Sequence, residues 1–208
     1  MENCDNDIVN TLLTRITEMI SIPQNAALII VDVQKGFDDP VWGNRNNLTA
    51  EKRIADLLAA WRKTKRPVFH IQHLSTSETS PLNPRSTGSE IKDIVRPVET
   101  EPVFQKHVNS AFIGTELENS LRQQEITVVV VVGLTTPHCV STTARMGSNL
   151  GFEVYLASDA IAAFEITGPD GRQYSAEEIH EVSLATLHEE FAKVIDSKAL
   201  LDSVLQSV

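Results

Sequence analysis

A chain of 208 residues with 41% hydrophobic content is long enough to bury the core of one domain. Its formal net charge of −10, with 18 Lys and Arg spread along it, argues against nucleic acid or an anionic membrane as the main partner. Two cysteines exclude a disulfide scaffold and suit a reducing compartment, and no apolar run reaches the ~20 residues of a membrane span.

The first residues, Met1 to Asp7, are acidic where a secretory signal would be basic, so a cytoplasmic protein is expected, with Cys4 an exposed bystander. Ile8, Leu12, Leu13, Ile16, Met19 and Ile20 recur at helical spacing and Pro23 closes that segment. This predicts a helical extension over 1–25 ahead of a single domain over 26–208. From there strands predicted at 27–33, 67–72, 102–104, 126–132, 153–157 and 192–195 alternate with helices at 50–63, 115–124, 139–149, 176–190 and 198–205. The runs Leu28 to Val31 and Val128 to Val132 are continuously apolar, as strands covered on both faces must be. The fold expected is therefore α/β with three layers, a mainly parallel sheet of about six strands and helices on both sides. Segments 75–90 and 167–174 break the pattern and read as loops over the sheet edge, where long loops shape pockets.

Cys139 follows the most apolar strand through the turn Gly133-Leu134-Thr135-Thr136-Pro137-His138. With Thr136 as N-cap and Pro137 in the first helical position, Cys139 falls in the first helical turn, where free N–H groups and the helix dipole favour a thiolate. A small apolar residue packed under a helix fits the same spacing. Asp32 ends the first apolar run, and in a doubly wound sheet the site lies beyond the carboxyl ends of the strands where the order reverses. A strand order 3-2-1-4 would bring Asp32 and Cys139 to one crevice, where a carboxylate can take the thiol proton. Asp32 also reads as a turn residue. Lys106 follows a further apolar patch and is a candidate third charge, or a solvated surface lysine.

These segments resemble the cysteine hydrolases of the isochorismatase-like superfamily, which includes nicotinamidases, N-carbamoylsarcosine amidohydrolase and streptothricin hydrolase. The resemblance is carried by Leu28-Ile29-Ile30-Val31-Asp32-Val33-Gln34 with Phe37, by Lys106 with Ser110-Ala111-Phe112, and by Gly133 to Val140 with Thr143-Ala144. It implies an Asp32, Lys106, Cys139 triad. Asp32 would act as base and then acid, Lys106 would support the pair, and Cys139 would attack a carbonyl. It implies a cis peptide at Leu134-Thr135, so that the Thr135 and Cys139 N–H groups form an oxyanion hole. Phe37, Trp42, Phe112 and Thr136 are the expected substrate-binding residues.

Nicotinamidases place an Asp-x-His pair after the second strand to bind a metal, and here that stretch reads His70-Ile71-Gln72-His73. Strand residues three apart face opposite sides, so no metal and no cofactor are expected. His138 is expected to point away from the nucleophile, His180 and His188 to be packing or surface residues, and Arg145 to be a structural ion-pair partner. Asn44 and Arg45, with Trp42, lie on a loop that contacts substrate or only supports the pocket mouth. The expected partners are a small-molecule substrate and further copies of the chain, as a dimer or tetramer. The function expected is hydrolysis of a small amide or ureido C–N bond, the alternatives being isochorismatase chemistry or a non-catalytic effector of the same fold. No glycine-rich phosphate fingerprint follows the first strand.

Overall fold

The computed structural model describes residues 21–206, so the helix expected over Ile8 to Ile20, and Cys4, lie outside the described residues. Its main sheet runs in the order β3-β2-β1-β4-β5-β8 with every pairing parallel. The strands are β1 (Ala27–Val31), β2 (Val68–His73), β3 (Val103–Lys106), β4 (Val128–Leu134), β5 (Glu153–Ala162) and β8 (Lys193–Ile195). The helices are α1 (Ala50–Lys63), α2 (Leu117–Gln123), α3 (Ser141–Asn149), α4 (Ala176–Leu187) and α5 (Ser197–Gln206).

The pleat decides which side chains go where. Along β1 and β4, Ala27, Ile29, Val31, Val129 and Val131 pack against Leu117 and Leu121 of α2, Ala144 of α3 and Leu187 of α4. Leu28, Ile30, Val128, Val130 and Val132 face the other way, onto Ile54, Leu57, Leu58 and Trp61 of α1 and Leu200 and Val204 of α5. Burial on both faces is why these runs carry no polar alternation. Ile22 belongs to the second cluster and donates its N–H to Ser203 Oγ, so the chain is already anchored to the domain before β1 begins.

The end of β5 and segment 167–174 differ from the sequence reading. β5 runs on to Ala162 instead of ending at Ala157, because after an irregularity opposite Val131 and Gly133 it pairs again, Ile161 with Gly133 and Ala162 with Leu134. The polar Ser158 and Asp159 that look like a strand end arch out there, and Asp159 accepts from the N–H and Oγ of Ser197, at the start of α5. Segment 167–174 is a small antiparallel hairpin, β6 (Ile166–Thr167) with β7 (Gln173–Tyr174), turning on Gly168 and Gly171.

Candidate active site

The carboxyl ends of β3, β2, β1 and β4 stand side by side, and the chain leaves β1 and β4 in opposite directions across the sheet. That divergence opens the crevice. Register sets its contents: Lys106 pairs with His73, and Val31 pairs with Gly133. Asp32, one residue past β1, adopts φ 52°, a left-handed conformation that Asp tolerates, while its N–H still donates to Ile71 O at 3.0 Å. Gly133 at φ 124° brings β4 so close to β1 that a Cβ there would lie 2.0 Å from Val31 O. The Leu134-Thr135 peptide is cis.

Lys106 Nζ lies at the centre of the crevice, 2.6 Å from Asp32 Oδ2, 3.2 Å from Cys139 Sγ and 3.2 Å from His73 Nδ1. The lysine and aspartate side chains are shut off from solvent, so Lys106 is no surface residue. Burial holds the Asp32 carboxyl above its usual range against the pull of Lys106, and Asp32 Oδ1 is buried with no hydrogen-bond partner among the described residues. Burial and then the Asp32 charge push the Cys139 thiol up to about 12. The thiolate expected at a helix start is thus corrected. Cys139 sits in a π-helical turn, Thr136–Val140, ahead of α3, where burial disfavours the charged thiolate. Thr135, not Thr136, holds the N-cap position, without a side-chain cap bond.

The ligand atoms of Asp32, His73 and Cys139 lie within 4.8 Å of one another, close enough to share a cation. They already share one, the Lys106 ammonium. His70 points elsewhere: its Nε2 meets Glu101 Oε2 at 2.9 Å, so the two histidines do not converge.

A cavity of about 480 Å³ opens above the cluster. Cys139, His73, Asn109, Thr135 and His138 form its floor, and Phe37, Trp42, Leu82 and Phe164 its apolar wall. The three rings stand on one another, with centroids 5.3 Å apart for Phe37–Trp42, 6.1 Å for Phe37–Phe164 and 6.0 Å for Trp42–Phe164. Leu82 reaches the wall from the 75–90 loop, which lies against the Phe37 turn at two glycines. A Cβ on Gly36 would meet Gly88 O at 2.9 Å, and one on Gly88 would meet Pro81 O at 2.3 Å.

Phe37 and Trp42 border the cavity as the sequence suggests, but Phe112 and Thr136 do not. Phe112 packs into the core, stacked 5.8 Å from Phe152 and touching the position a Gly147 side chain would fill. Thr136 is fully buried, its Oγ1 3.0 Å from His180 Nδ1. His138 turns toward the cavity rather than away, with Nδ1 3.1 Å from Thr135 Oγ1. Arg145 makes no ion pair among the described residues; it lies over the Phe191 ring and donates to Thr186 and Ser141. Arg45 and Asn44 are supports, bound to Glu51 and Glu165. Sequence reasoning missed Gln34, Asn109 and Phe164. Asn109 Oδ1 is 3.8 Å from Cys139 Sγ, and Gln34 is wholly buried beside the cluster.

Residues 26–199 match the family model described as Isochorismatase domain. The isochorismatase family protein YrdC of Bacillus subtilis is 50% identical over 184 residues, 88% of this chain and 98% of that one. Nicotinamidase 3 of Arabidopsis thaliana is 30% identical over 193 residues, 86% of this chain and 89% of that one. A crystal structure assigned to the isochorismatase-family hydrolases, from Chromobacterium violaceum, superposes with a TM-score of 0.87 at 40% identity, covering 90% of this chain and 97% of that one. A parallel sheet with this crevice, matched in sequence over nearly the whole domain, makes the chain a member of the isochorismatase family of hydrolases.

Proposed function

We propose that the protein hydrolyses a small amide or ureido C–N bond through a covalent intermediate on Cys139. The observation that carries this reading is the shared ammonium: Lys106 Nζ bonds Asp32 at 2.6 Å and Cys139 at 3.2 Å on the floor of a cavity sized for a small molecule. The nicotinamidase relative, an amide hydrolase by name, supports it.

Cys139 is a neutral thiol at rest, so attack requires a base at hand. Asp32 Oδ1, buried and without a partner among the described residues, takes the Sγ proton as the S–C bond forms. Lys106 Nζ lies beside both groups, placed to stabilise whichever carries the negative charge. The substrate oxygen becomes an oxyanion held by the Thr135 and Cys139 N–H groups. When the C–N bond breaks, Asp32 returns its proton to the leaving nitrogen. Water then attacks the thioester, with Asp32 again taking a proton, and Cys139 leaves as the thiol. Phe37, Trp42 and Phe164 give the non-reacting part of the substrate an apolar wall.

The test is a screen of small amides and ureides, with isochorismate alongside, reading ammonia and pyruvate. Ammonia release that is lost in Cys139→Ser is the expected result. Pyruvate release from isochorismate that survives Cys139→Ser would replace this reading with enol-ether hydrolysis.

A further inference from the structure

The Lys106 ammonium has three N–H donors and, being shut off from solvent, must place all of them on protein acceptors. Two go to Asp32 and Cys139. The third goes to His73 Nδ1 at 3.2 Å, from the strand directly paired with its own. His73 is itself held by its backbone. Gln34, fully buried, accepts the His73 N–H on Oε1 at 2.8 Å and donates from Nε2 to His73 O at 2.9 Å and to Ser89 O at 2.8 Å. One side-chain amide thus pins both polar groups of the residue that carries the ring.

Burial, and then the Lys106 charge, hold the His73 ring down at about 4. At neutral pH the ring is uncharged. Its Nδ1 must offer a lone pair to Lys106, so the ring proton sits on Nε2. The charged or titratable groups around the ring are Lys106 and His107, with the ligand atoms of Asp32 and Cys139 within 4.8 Å of its own. Without this acceptor one ammonium N–H has no protein partner. The group then swings toward the cavity, where a substrate carbonyl or water takes the bond, and its hold on Cys139 loosens.

We infer that His73 is a positioning residue of the catalytic cluster, fixing the Lys106 ammonium so that its other two N–H bonds point at Asp32 and Cys139. The inference rests on the proposed role of Cys139, and it assigns His73 neither a metal nor a substrate to bind.

The experiment compares wild type, His73→Ala and His73→Asn, whose Oδ1 can replace Nδ1 as the acceptor. The first readout needs no substrate: the rate of Cys139 alkylation by iodoacetamide across about pH 6–10, followed on the Cys139 peptide by mass spectrometry. His73→Ala should slow alkylation about tenfold at each pH, because thiolate support from Lys106 is lost, and His73→Asn should restore most of the rate. On any amide the wild type turns over, kcat should fall about 10–100-fold in His73→Ala with KM little changed, the size seen when residues behind a catalytic group are removed. An alkylation profile in His73→Ala that superimposes on wild type overturns the inference, as does a rise in KM at constant kcat, which would make His73 a substrate contact. If the wild type hydrolyses no amide, the proposed function fails while the alkylation profiles still decide the role of His73.

Discussion

Asp32 Oδ2 and Lys106 Nζ meet at 2.6 Å with neither side chain exposed, and the thiol of Cys139 answers to both charges in opposite senses. After burial itself, the Asp32 charge raises it and the Lys106 charge lowers it. Asp32→Asn should therefore make Cys139 alkylate faster at pH 8, by about tenfold for each pH unit its titration falls, while turnover drops by at least about a hundredfold as the base is lost. A variant whose thiol became slower to alkylate would contradict this account of the site.

The contact of β1 with β4 sets a second test. An alanine Cβ at Gly133 would lie 2.0 Å from the Val31 carbonyl, which is backbone and cannot turn aside, at a φ of 124° that side chains avoid. Gly133→Ala should cost more than about 4 kcal/mol and leave little folded protein. Gly114→Ala, at φ +72° with nothing within 4 Å, isolates backbone strain alone and should cost about 1 kcal/mol. Urea midpoints for the two variants separate the causes.

Acid should weaken the fold in two steps. His73 is held down at about 4 when folded against an ordinary 6.5, so between those values the unfolded chain binds the extra proton and stability drops as pH is lowered. Glu51 and Glu101 follow. Burial alone would raise both, but Arg45 with Lys92, and Arg62 with His70, outweigh it and hold each carboxyl at about 2. Their contribution is complete above the ordinary glutamate value near 4.5 and is lost as pH drops toward 2. Denaturant midpoints from pH 8 to pH 2.5 should decline in these two windows, and Glu51→Gln should flatten the lower one.

Phe164 completes the aromatic wall without touching the charged cluster. Phe164→Ala removes its stacking on Phe37 and Trp42. For substrates with an apolar group, KM should rise about tenfold with kcat nearly constant, in line with the ~0.5–1.5 kcal/mol of each ring pair. A loss confined to kcat would show that the ring shapes the chemistry instead.

Because the three donor atoms of Asp32, His73 and Cys139 already converge on an ammonium, incubation with a strong chelator should leave turnover unchanged. Activity lost to the chelator and restored by a divalent ion would count against Lys106 as the central cation.

Much of this was legible before the fold. The continuous apolar runs of β1 and β4 announced strands buried on both faces, and the spacing over Ala50–Lys63 delivered that helix with the observed bounds. Asp32, Lys106 and Cys139 stand after apolar runs, which makes each a candidate, but it is the family resemblance that groups them as a triad. What stayed hidden depends on lateral register, which a linear string does not contain. Nothing before the fold says that Lys106 sits opposite His73, or that the Gln34 amide reaches the backbone of His73. Phe112 and Thr136, expected to bind substrate, do not line the cavity. Each is near a cluster residue in sequence, yet the turn between them sends its side chain into the core.

Where the 75–90 loop lies on the Phe37 turn, a Cβ on Gly36 would stand 2.9 Å from Gly88 O, from Pro81 O and from Leu82 Cδ2. Leu82 is the residue of that loop that lines the cavity, and the pairing of Lys35 with Glu90 ties the turn to the loop's far end. A change at Leu82 would therefore alter the cavity wall and its packing on Gly36 together, away from Asp32, Lys106 and Cys139 beyond the strand ends.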